Sequence, residues 1–486
     1  MVAEPARLYE GLDSFELTPA RIDGELVEGD AVLEVRSPWD GHLVGAVPAL
    51  TAGHVDQAVG VALDRHRGPR LPAHRRAAIL ERAAGALEDN GERFARLIAG
   101  EAAKPIRTAR AEVARGVEVL RFSAGVARTL SGEMVPLDAS PAGDGRLGLV
   151  KRVPVGVVAA VTPFNFPLNL VCHKVAPALA AGCPVVLKPS PVTPLTALAL
   201  AEVLEESGLP RGWLNVVTCT DGVAPGLVTH PGVALVTFTG SPAVGFSIRS
   251  AAPDKKVSLE LGNNSPVIVE PDGDWRAAAA KVAEAGYVYA GQTCVSVQRA
   301  LVHHSVAEPF TDDLVARVSR LVVGDPQDEA TDVSALIDPE AADRVSGWVG
   351  EAQAAGAELR CGGERTGSGA VRPCVLSDVT PDMKVSHAEV FGPVVGVQAY
   401  ETFDEALDLA NDTRYGLQVG VFTSDLGKAL LAADVLDFGG VLVNDVPTWR
   451  ADHMPYGGVR HSGNTREGPY YAAQEMTERR LVVLTA

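Results

Sequence analysis

Residues 156–194 read GVVAAVTPFNFPLNLVCHKVAPALAAGCPVVLKPSPVTP. Two short apolar, β-branched runs, 156–161 and 185–187, flank a stretch of helical composition, Asn169–Ala181. A strand, a helix and a second strand in this order predict two parallel strands joined by a crossover helix. Ligands bind beyond the carboxyl ends of such strands, so functional residues are expected in the loops 162–167 and 188–194.

The same alternation continues on both sides of this stretch. Further strands are predicted at Leu214–Val217, Leu235–Phe238 and Val257–Leu259, and helices at Leu195–Ser207 and Ala243–Ala252. Apolar positions recur at helical spacing between Ala73 and Phe122, with interruptions near Asn90-Gly91 and Lys104-Pro105, which predicts three helices. The fold class is therefore α/β, with a parallel sheet covered on both faces.

A second series of elements begins near Asp274. It comprises a helix to Val288, a strand at Ala300–His303, a helix at Val306–Val322, and strands at Val394–Tyr400, Val419–Phe422 and Val441–Asn444. This series predicts a second α/β domain. The tail Glu478–Leu484 is a short apolar strand, and pairing with a neighbouring subunit would cover the edge that it leaves open.

Composition narrows the possible partners. The chain has 486 residues, and its net charge of -18 repels nucleic-acid backbones and anionic lipid surfaces. We therefore do not expect nucleic acid as a partner. A membrane is not expected either, because no signal-like segment and no apolar run of about 18 residues is present. The cysteines show no CxxC pair or zinc-like His spacing, which favours reduced thiols, a cytoplasmic location and no metal: Cys172, Cys183, Cys219, Cys294, Cys361 and Cys374.

Three residues could together carry covalent chemistry. Cys294 lies in the small, polar segment GQTC, Glu260 ends a predicted strand before a glycine, and Asn165 lies between two phenylalanines in a strand-end loop. They provide a nucleophile, a base and an oxyanion donor. Each also has a plainer interpretation, as a packed thiol, a solvated carboxylate and a turn-capping amide.

Two strand-end loops could hold an anionic or hydroxyl-bearing ligand. Gly240 lets the backbone approach a ligand, and Ser241 begins a helix whose free N–H groups favour a pyrophosphate. Lys188 ends an apolar strand, where its ammonium could bind ribose hydroxyls. The plainer interpretations are a helix-start turn and a surface lysine.

Seven motifs occur in order along the chain: TPFNFP, KPSPVTP, FTGSPAVG, LELG, GQTC, EVFGP at Glu389–Pro393 and MPYGGV at Met454–Val459. In these motifs the chain resembles the aldehyde dehydrogenase superfamily over nearly all of its length. The resemblance implies oxidation of an aldehyde to a carboxylate with NAD or NADP, through a thioester on Cys294. In this interpretation Glu260 is the general base and Asn165 the oxyanion amide.

The resemblance also implies three structural units. These are a Rossmann-like cofactor domain (1–126 and 148–258), an α/β catalytic domain (259–463) and a β flap (127–147 and 464–486) that builds homodimers or homotetramers. Residues 146–153 would form one flap strand, and the final strand of the chain would join it. The implied cofactor contacts are Thr162, Pro163, Phe164, Lys188, Ser190, Pro191, Gly240, Ser241, Gly245, Leu261, Glu389 and Phe391.

Three positions depart from the commonest motif forms. Phe164 replaces a tryptophan beside Asn165, which changes the shape of the pocket. Asn263 replaces a glycine, and because asparagine tolerates left-handed backbone, the turn is expected to persist. Pro191 replaces the glutamate of many NAD-preferring members, which removes a repulsion toward a 2′-phosphate, so NADP use stays open.

The motif variants are most similar to the branch that includes lactaldehyde and phosphonoacetaldehyde dehydrogenases. The resemblance places Arg450 and Arg115 at the substrate entrance, where they could bind an anionic aldehyde, or they could anchor loops or an interface. Two other functions remain open: transfer of the acyl group to coenzyme A, and a non-catalytic family member. The presence of both Glu260 and Cys294 favours hydrolysis.

Overall fold

The computed structural model describes residues 17–367 and 369–485. Residues 1–16, at the start of the predicted cofactor domain, Ser368 in the catalytic domain and Ala486 in the flap lie outside the described residues. The helices are α1 (Ala52–Arg67), α2 (Ala73–Asp89), α3 (Gly91–Ala102), α4 (Ile106–Thr129), α5 (Asn169–Ala181), α6 (Leu195–Glu206), α7 (Ala224–Thr229), α8 (Pro242–Ala251), α9 (Trp275–Ala285), α10 (His304–Val318), α11 (Pro339–Ala354), α12 (Lys384–His387), α13 (Phe403–Asn411), α14 (Leu426–Val435) and α15 (Pro469–Glu475).

The strands, in chain order, are β1 (Ala20–Ile22), β2 (Glu25–Val27), β3 (Val32–Arg36), β4 (Leu43–Pro48), β5 (Glu133–Val135), β6 (Arg146–Pro154), β7 (Val157–Val161), β8 (Val185–Lys188), β9 (Leu214–Val216), β10 (Val233–Thr239), β11 (Lys256–Glu260), β12 (Pro266–Val269), β13 (Arg299–His303), β14 (Glu358–Cys361), β15 (Cys374–Ser377), β16 (Val394–Tyr400), β17 (Gln418–Phe422), β18 (Gly440–Val443) and β19 (Thr477–Thr485).

The first large sheet has the order β11-β10-β7-β8-β9-β1-β2. Strands β7 to β11 within it are parallel, whereas the β1–β2 hairpin is antiparallel at one edge. Successive residues of β7 point to opposite faces: Val158 packs into one core and Val157 into another. Helices α2 to α6 cover the first face and α1 and α8 the second, as predicted for a Rossmann-like domain.

The second large sheet has the order β14-β15-β16-β13-β12-β17-β18 and is parallel except at β14. Its two faces are also covered, one by α9, α10 and α11 and the other by α13 and α14. The predicted second α/β domain is confirmed. The predicted helix at 306–322 begins at His304 and ends earlier, at Val318, because Ser319 caps it.

A third sheet, with the order β19-β6-β5, forms the flap. Strand β19 pairs with β6 along its whole length, from Thr477↔Pro154 to Thr485↔Arg146. The predicted flap boundary at 147/148 therefore falls inside β6 and is wrong, because residues 148–154 belong to this antiparallel sheet. The predicted boundary at 258/259 likewise falls inside β11, and α15 packs on α4 and α5 rather than within the flap.

The three helices predicted between Ala73 and Phe122 are confirmed as α2, α3 and α4, and α4 continues to Thr129. Short antiparallel pieces escaped prediction, namely β1–β2, β3–β4 and the β14 edge. Within 17–367 and 369–485, none of the helices is long and apolar enough to cross a membrane.

Candidate active site

The carboxyl ends of four strands meet at one edge of the first sheet. The register pairs Val161 with Lys188 and Thr239 with Glu260, and β10 joins the two pairs because Phe238 lies opposite Val161. Parallel strands with this register bring their following loops together. The loops that sequence analysis selected, which begin at Thr162, Lys188 and Gly240, are therefore neighbours.

The nucleophile candidate follows a strained turn. Tyr289, Ala290 and Gly291 have φ values of 50°, 53° and 71°, three successive residues in the left-handed region. At Gly291 an added Cβ would lie 2.1 Å from the carbonyl oxygen of Gly392, so only glycine fits there. The predicted helix to Val288 already ends at Ala285, where Gly286 follows, and the turn lies between that helix and Cys294.

Asn165 is tied to the same segment. Its Nδ2 donates a hydrogen bond to the Gln292 carbonyl oxygen at 2.9 Å, two residues before Cys294. An amide nitrogen carries two hydrogens, so this bond orients the group and leaves one N–H for a developing oxyanion. The structure thus brings Asn165 and the Cys294 segment together, although one lies on each domain.

The Cys294 thiol is half-buried and contacts Tyr456, with 2.9 Å between Sγ and the phenolic oxygen. Burial, together with the carboxyl of Glu260, raises the pKa of this thiol to about 12, while Tyr456 and Arg450 act in the opposite direction. The resting nucleophile is therefore a neutral thiol. Sequence analysis did not identify Tyr456.

Glu260 is buried, with 1 % of its surface exposed, and both of its carboxylate oxygens lack a hydrogen-bond partner among the described residues. Burial, and then the neighbouring charge of Glu467, raise the pKa of Glu260 well above its usual range, against Arg450 and Lys174. A buried carboxyl without partners is rare and costly, which is typical of functional rather than structural groups.

Glu467 is equally buried but paired. It accepts hydrogen bonds from Lys174 at 3.3 Å and from Arg450 at 3.1 Å. Burial alone would raise its pKa, but these two cations outweigh burial and lower the pKa to about 2. Glu467 therefore stays ionised, whereas the pKa of the neighbouring Glu260 is raised. Neither Glu467 nor Lys174 was predicted from sequence.

A second buried ion pair supports the loop that carries Asn165. Lys104 pairs with Glu112 and donates to the main-chain carbonyl of Asn165 itself at 2.6 Å. Glu112 in turn accepts the backbone N–H groups of Leu168 and Asn169, each at 3.0 Å, at the start of α5. Sequence analysis interpreted Lys104 only as part of a helix break before Pro105. Its position between alanines and a proline could have indicated burial, but this signal is weak.

The two candidate substrate arginines flank one aspartate. Arg115 binds Asp452 through Nε and Nη2, the shortest contact being 2.8 Å, and His173 binds the same carboxylate at 3.0 Å. Arg450 contacts His173 at 3.0 Å, and its guanidinium carbon lies 3.8 Å from the centre of the Tyr456 ring. Arg450 Nε has no hydrogen-bond partner among the described residues.

The candidate cofactor residues occupy the same sheet edge. Thr162 donates its N–H to the Lys188 carbonyl, and the Lys188 ammonium pairs with Asp221 at 2.7 Å. Ser241 caps α8 by accepting from the N–H of Val244. Ser190 is buried and its carbonyl accepts from Thr193 in a turn, whereas Pro163 and Pro191 are partly exposed.

Two glycines at this edge are required by close packing. A Cβ at Gly262 would lie 2.2 Å from Glu389 Oε2, and one at Gly245 would lie 2.5 Å from Leu261. Burial raises the pKa of Glu389 to about 7, partly opposed by the N–H of Asn263. Gly240 faces the Phe238 ring, where a Cβ would lie 2.4 Å from the nearest ring carbon.

The Phe164 and Phe391 rings meet edge to face, with centroids 6.0 Å apart, and Phe391 has a φ of 48°. Asn263 is not among the residues with positive φ, so the expected left-handed turn there is wrong. Its side-chain amide donates to Ser265 Oγ at 2.7 Å. The substitution at this position is accommodated by a side-chain hydrogen bond rather than by an unusual backbone.

These features agree with the comparisons with known proteins. Residues 26–482 match the aldehyde dehydrogenase family, and the chain belongs to this family. Its fold is that of NAD(P)-dependent aldehyde dehydrogenases. It is an oxidoreductase that acts on small aldehydes.

The chain is 46% identical to a 3-sulfolactaldehyde dehydrogenase from Priestia aryabhattai, over 95% of this chain and 97% of the relative. It is 37% identical to a lactaldehyde dehydrogenase from Methanococcus aeolicus, over 95% and 99%. The NADP complex of a glyceraldehyde-3-phosphate dehydrogenase from Bacillus halodurans C-125 superposes with a TM-score of 0.93 at 34% identity, covering 97% of this chain and 100% of that one. The predicted similarity to lactaldehyde dehydrogenases is confirmed.

The residues present fit NAD or NADP. The hydroxyl oxygens of Thr162 and Thr239 are buried at the sheet edge and have no hydrogen-bond partner within 17–367 and 369–485, so a polar ligand can satisfy them. The α8 N-terminus suits a pyrophosphate, and Lys188 and Glu389 suit ribose hydroxyls. The site thus has donors and acceptors for a dinucleotide along the whole edge.

Proposed function

We propose that this chain oxidises a short polar or anionic aldehyde to its carboxylate, with Cys294 as nucleophile, Glu260 as general base and Asn165 as oxyanion donor. The observation that carries the proposal is Glu260, a fully buried carboxyl to which no described residue donates a hydrogen bond. It lies at the end of the strand that pairs with β10, and Asn165 is tied by a hydrogen bond to the Cys294 segment. Such a group is available for a water molecule, which hydrolysis of a thioester requires.

The proposed reaction divides among these groups. The Cys294 thiolate adds to the aldehyde carbon, and the free N–H of Asn165 and the Cys294 backbone N–H hold the oxyanion. The bound NAD(P) supplies the hydride acceptor. Glu260 then removes a proton from the water that attacks the thioester, which releases the carboxylate and restores the thiol.

Two charged groups near the thiol support an anionic substrate. Arg450 is one side chain away from Cys294, since it stacks on Tyr456, which contacts Sγ. Arg115 binds Asp452, the same carboxylate that binds His173 next to Arg450, and the Arg115 side chain is 31% exposed. The relatives named for 3-sulfolactaldehyde and glyceraldehyde-3-phosphate act on anionic aldehydes, which agrees with this arrangement. Binding would require the substrate anion to compete with Asp452 for Arg115.

A panel of aldehydes tests the proposal. We would assay 3-sulfolactaldehyde, glyceraldehyde-3-phosphate, lactaldehyde and propanal, each with NAD and NADP, with and without coenzyme A. We expect turnover without coenzyme A, the highest kcat/KM for an anionic aldehyde, and none in Cys294→Ala. Turnover that requires coenzyme A would instead establish the acylating function, and full activity of Cys294→Ala would refute the mechanism.

Arg115→Ala tests the anion contact. We expect KM to rise about tenfold or more for an anionic aldehyde, because the variant loses a charge-assisted bidentate contact that contributes up to a few kcal/mol. KM for propanal should change little, because propanal has no anionic group. Arg121→Ala is the matched control, because Arg121 lies on the same helix and pairs at the surface with Glu88. Equal losses on both kinds of aldehyde would remove Arg115 from substrate binding.

We further propose a homodimer or homotetramer in the cytoplasm. Strand β19 lies at the edge of the flap sheet, and its apolar residues Leu481 and Leu484 are 54% and 51% exposed. Deleting Leu481–Ala486 should shift the assembly toward smaller species or aggregates in size-exclusion chromatography with light scattering. A chain that lacks Ala486 alone is the control, and an unchanged mass after the longer deletion would exclude this edge.

A further inference from the structure

The contact between Tyr456 and Cys294 places a phenolic hydroxyl on the reacting sulfur. The oxygen lies 2.9 Å from Sγ, and Tyr456 is 2 % exposed. The backbone of Tyr456 forms an antiparallel bridge with Glu467, so the main chain that carries the ring is paired with the segment that carries the ionised carboxylate.

A guanidinium stacks on the same ring. The Arg450 guanidinium carbon lies 3.8 Å from the ring centroid, and Glu467 and His173 hold the arginine in place at 3.1 and 3.0 Å. Burial is the largest single influence on Arg450 and disfavours its charge, but Glu467, Tyr456, Asp452 and Glu260 together outweigh burial, so the pKa of the guanidinium is raised and it stays charged. A cation over the face of a phenol draws electron density from the ring and makes its hydroxyl a stronger donor.

The thiol needs such a donor because its other neighbours oppose ionisation. Burial first, and then the charges of Glu260 and Glu389, raise the thiol pKa. Tyr456 and Arg450 are the groups that favour the thiolate. The pKa of Tyr456 is itself raised well above its usual range by burial and by Cys294, so the phenol keeps its proton.

We propose that Tyr456 is a further catalytic residue of the oxidation, which donates its hydroxyl hydrogen to the Cys294 thiolate while Arg450 beneath its ring strengthens the bond. The thiol proton leaves to water, and Tyr456 remains a phenol throughout. The inference rests on the proposed function only in taking Cys294 as the nucleophile.

Alkylation of the apoenzyme by iodoacetamide tests the inference without turnover. The second-order rate constant at Cys294, followed by peptide mass spectrometry from pH 6 to 10, reports the thiolate. Tyr456→Phe keeps the ring under Arg450 and removes only the hydroxyl. We expect its profile to move about one unit to higher pH, roughly tenfold slower on the rising limb, as for one lost hydrogen bond to a charged group.

Two further variants separate this role from a structural one. Replacing Tyr456 with 3-fluorotyrosine makes the phenol a stronger donor and should move the profile to lower pH. Tyr400→Phe removes another buried hydroxyl, which contacts the Val269 carbonyl at 2.9 Å and the Glu270 carboxylate instead of Cys294, and should leave the profile unchanged.

Coinciding profiles for wild type and Tyr456→Phe would overturn the inference. Faster alkylation of Tyr456→Phe would also overturn it, since a loosened pocket exposes the sulfur. An inactive enzyme with the expected shift would instead contradict only the proposed function.

Discussion

The end of β11 and the loop before α15 each bury one glutamate, and the two groups differ in almost every other respect. Glu260 accepts no hydrogen bond from the part of the chain that the structure describes and has a strongly raised pKa, whereas Glu467 contacts Lys174 and Arg450 and has a pKa of about 2. Burial alone favours the neutral acid, and adjacent cations reverse that preference. The comparison shows that partners, not depth, decide which carboxyl is ionised.

The difference in hydrogen-bond partners also suggests different roles for the two glutamates, a structural one for Glu467 and a chemical one for Glu260. Both oxygens of Glu467 accept hydrogen bonds, one from Lys174 and one from Arg450, and the second bond holds the arginine that stacks on Tyr456. Neither carboxylate oxygen of Glu260 is hydrogen-bonded to a described residue, so both are able to bind a water molecule. Replacing either group should therefore damage a different property of the enzyme.

The largest effect is expected for Glu260→Gln. The first turnover needs no base, so a burst of reduced cofactor should persist, whereas steady-state turnover should fall roughly 10²- to 10³-fold, as for loss of a general base. Stopped-flow absorbance separates the two phases. Glu478→Gln on the exposed face of β19 is the control. An equal loss of burst and turnover would remove Glu260 from thioester hydrolysis.

Glu467→Gln should act on stability instead. The change leaves Lys174 and Arg450 buried without their carboxylate, and breaking a buried pair costs about 3 kcal/mol of unfolding free energy. Chemical denaturation measures the loss, again against Glu478→Gln. A loss no larger than that of the surface control would mean that water or Asp452 replaces Glu467 as the partner of Arg450.

The pH dependence of the same variant sharpens the comparison. Glu260 acts only when deprotonated, and its pKa is raised, so thioester hydrolysis should increase with pH through that pKa. Removing the negative charge of Glu467 lowers the Glu260 pKa, so the rising limb of kcat should move to lower pH, by about one unit. A shift toward higher pH would show that Glu467 is not the charge that Glu260 senses.

The smallest effect is expected at Lys188, a buried cation whose partner Asp221 is exposed rather than buried. A carboxylate beside Lys188 repels a 2′-phosphate, as the glutamate missing at Pro191 would. Asp221→Asn should raise the NADP:NAD ratio of kcat/KM several-fold, with the exposed Asp254→Asn as control. An unchanged ratio would place the choice of cofactor elsewhere.

The sequence was sufficient to predict the features that depend on local residue patterns. The alternation of strands and helices predicted both large sheets, and the rule that loops meet at strand ends correctly brought together the loops that carry Asn165, Lys188 and Ser241. The roles of these residues stay predictions. The β1–β2 hairpin was missed although Asp23-Gly24 is a strong turn signal, with both φ values positive.

The supporting groups lay beyond such reasoning because their partners are distant in the chain. Lys104 meets the Asn165 loop 61 residues away, Tyr456 meets Cys294 across 162, and Lys174 meets Glu467 across 293. No local periodicity reports such contacts. Lysine and glutamate usually lie at surfaces, so composition also argued against burying these pairs.

The resting state of Cys294 has a consequence for handling and inhibition. Peroxide and electrophiles react with thiolates, and this thiol, with a pKa of about 12, is almost wholly protonated at neutral pH. The enzyme should therefore survive purification in air with little sulfenic acid formation. The rate of covalent inhibition should therefore increase more when the inhibitor carries a group that binds it beside the sulfur than when its electrophile is made more reactive.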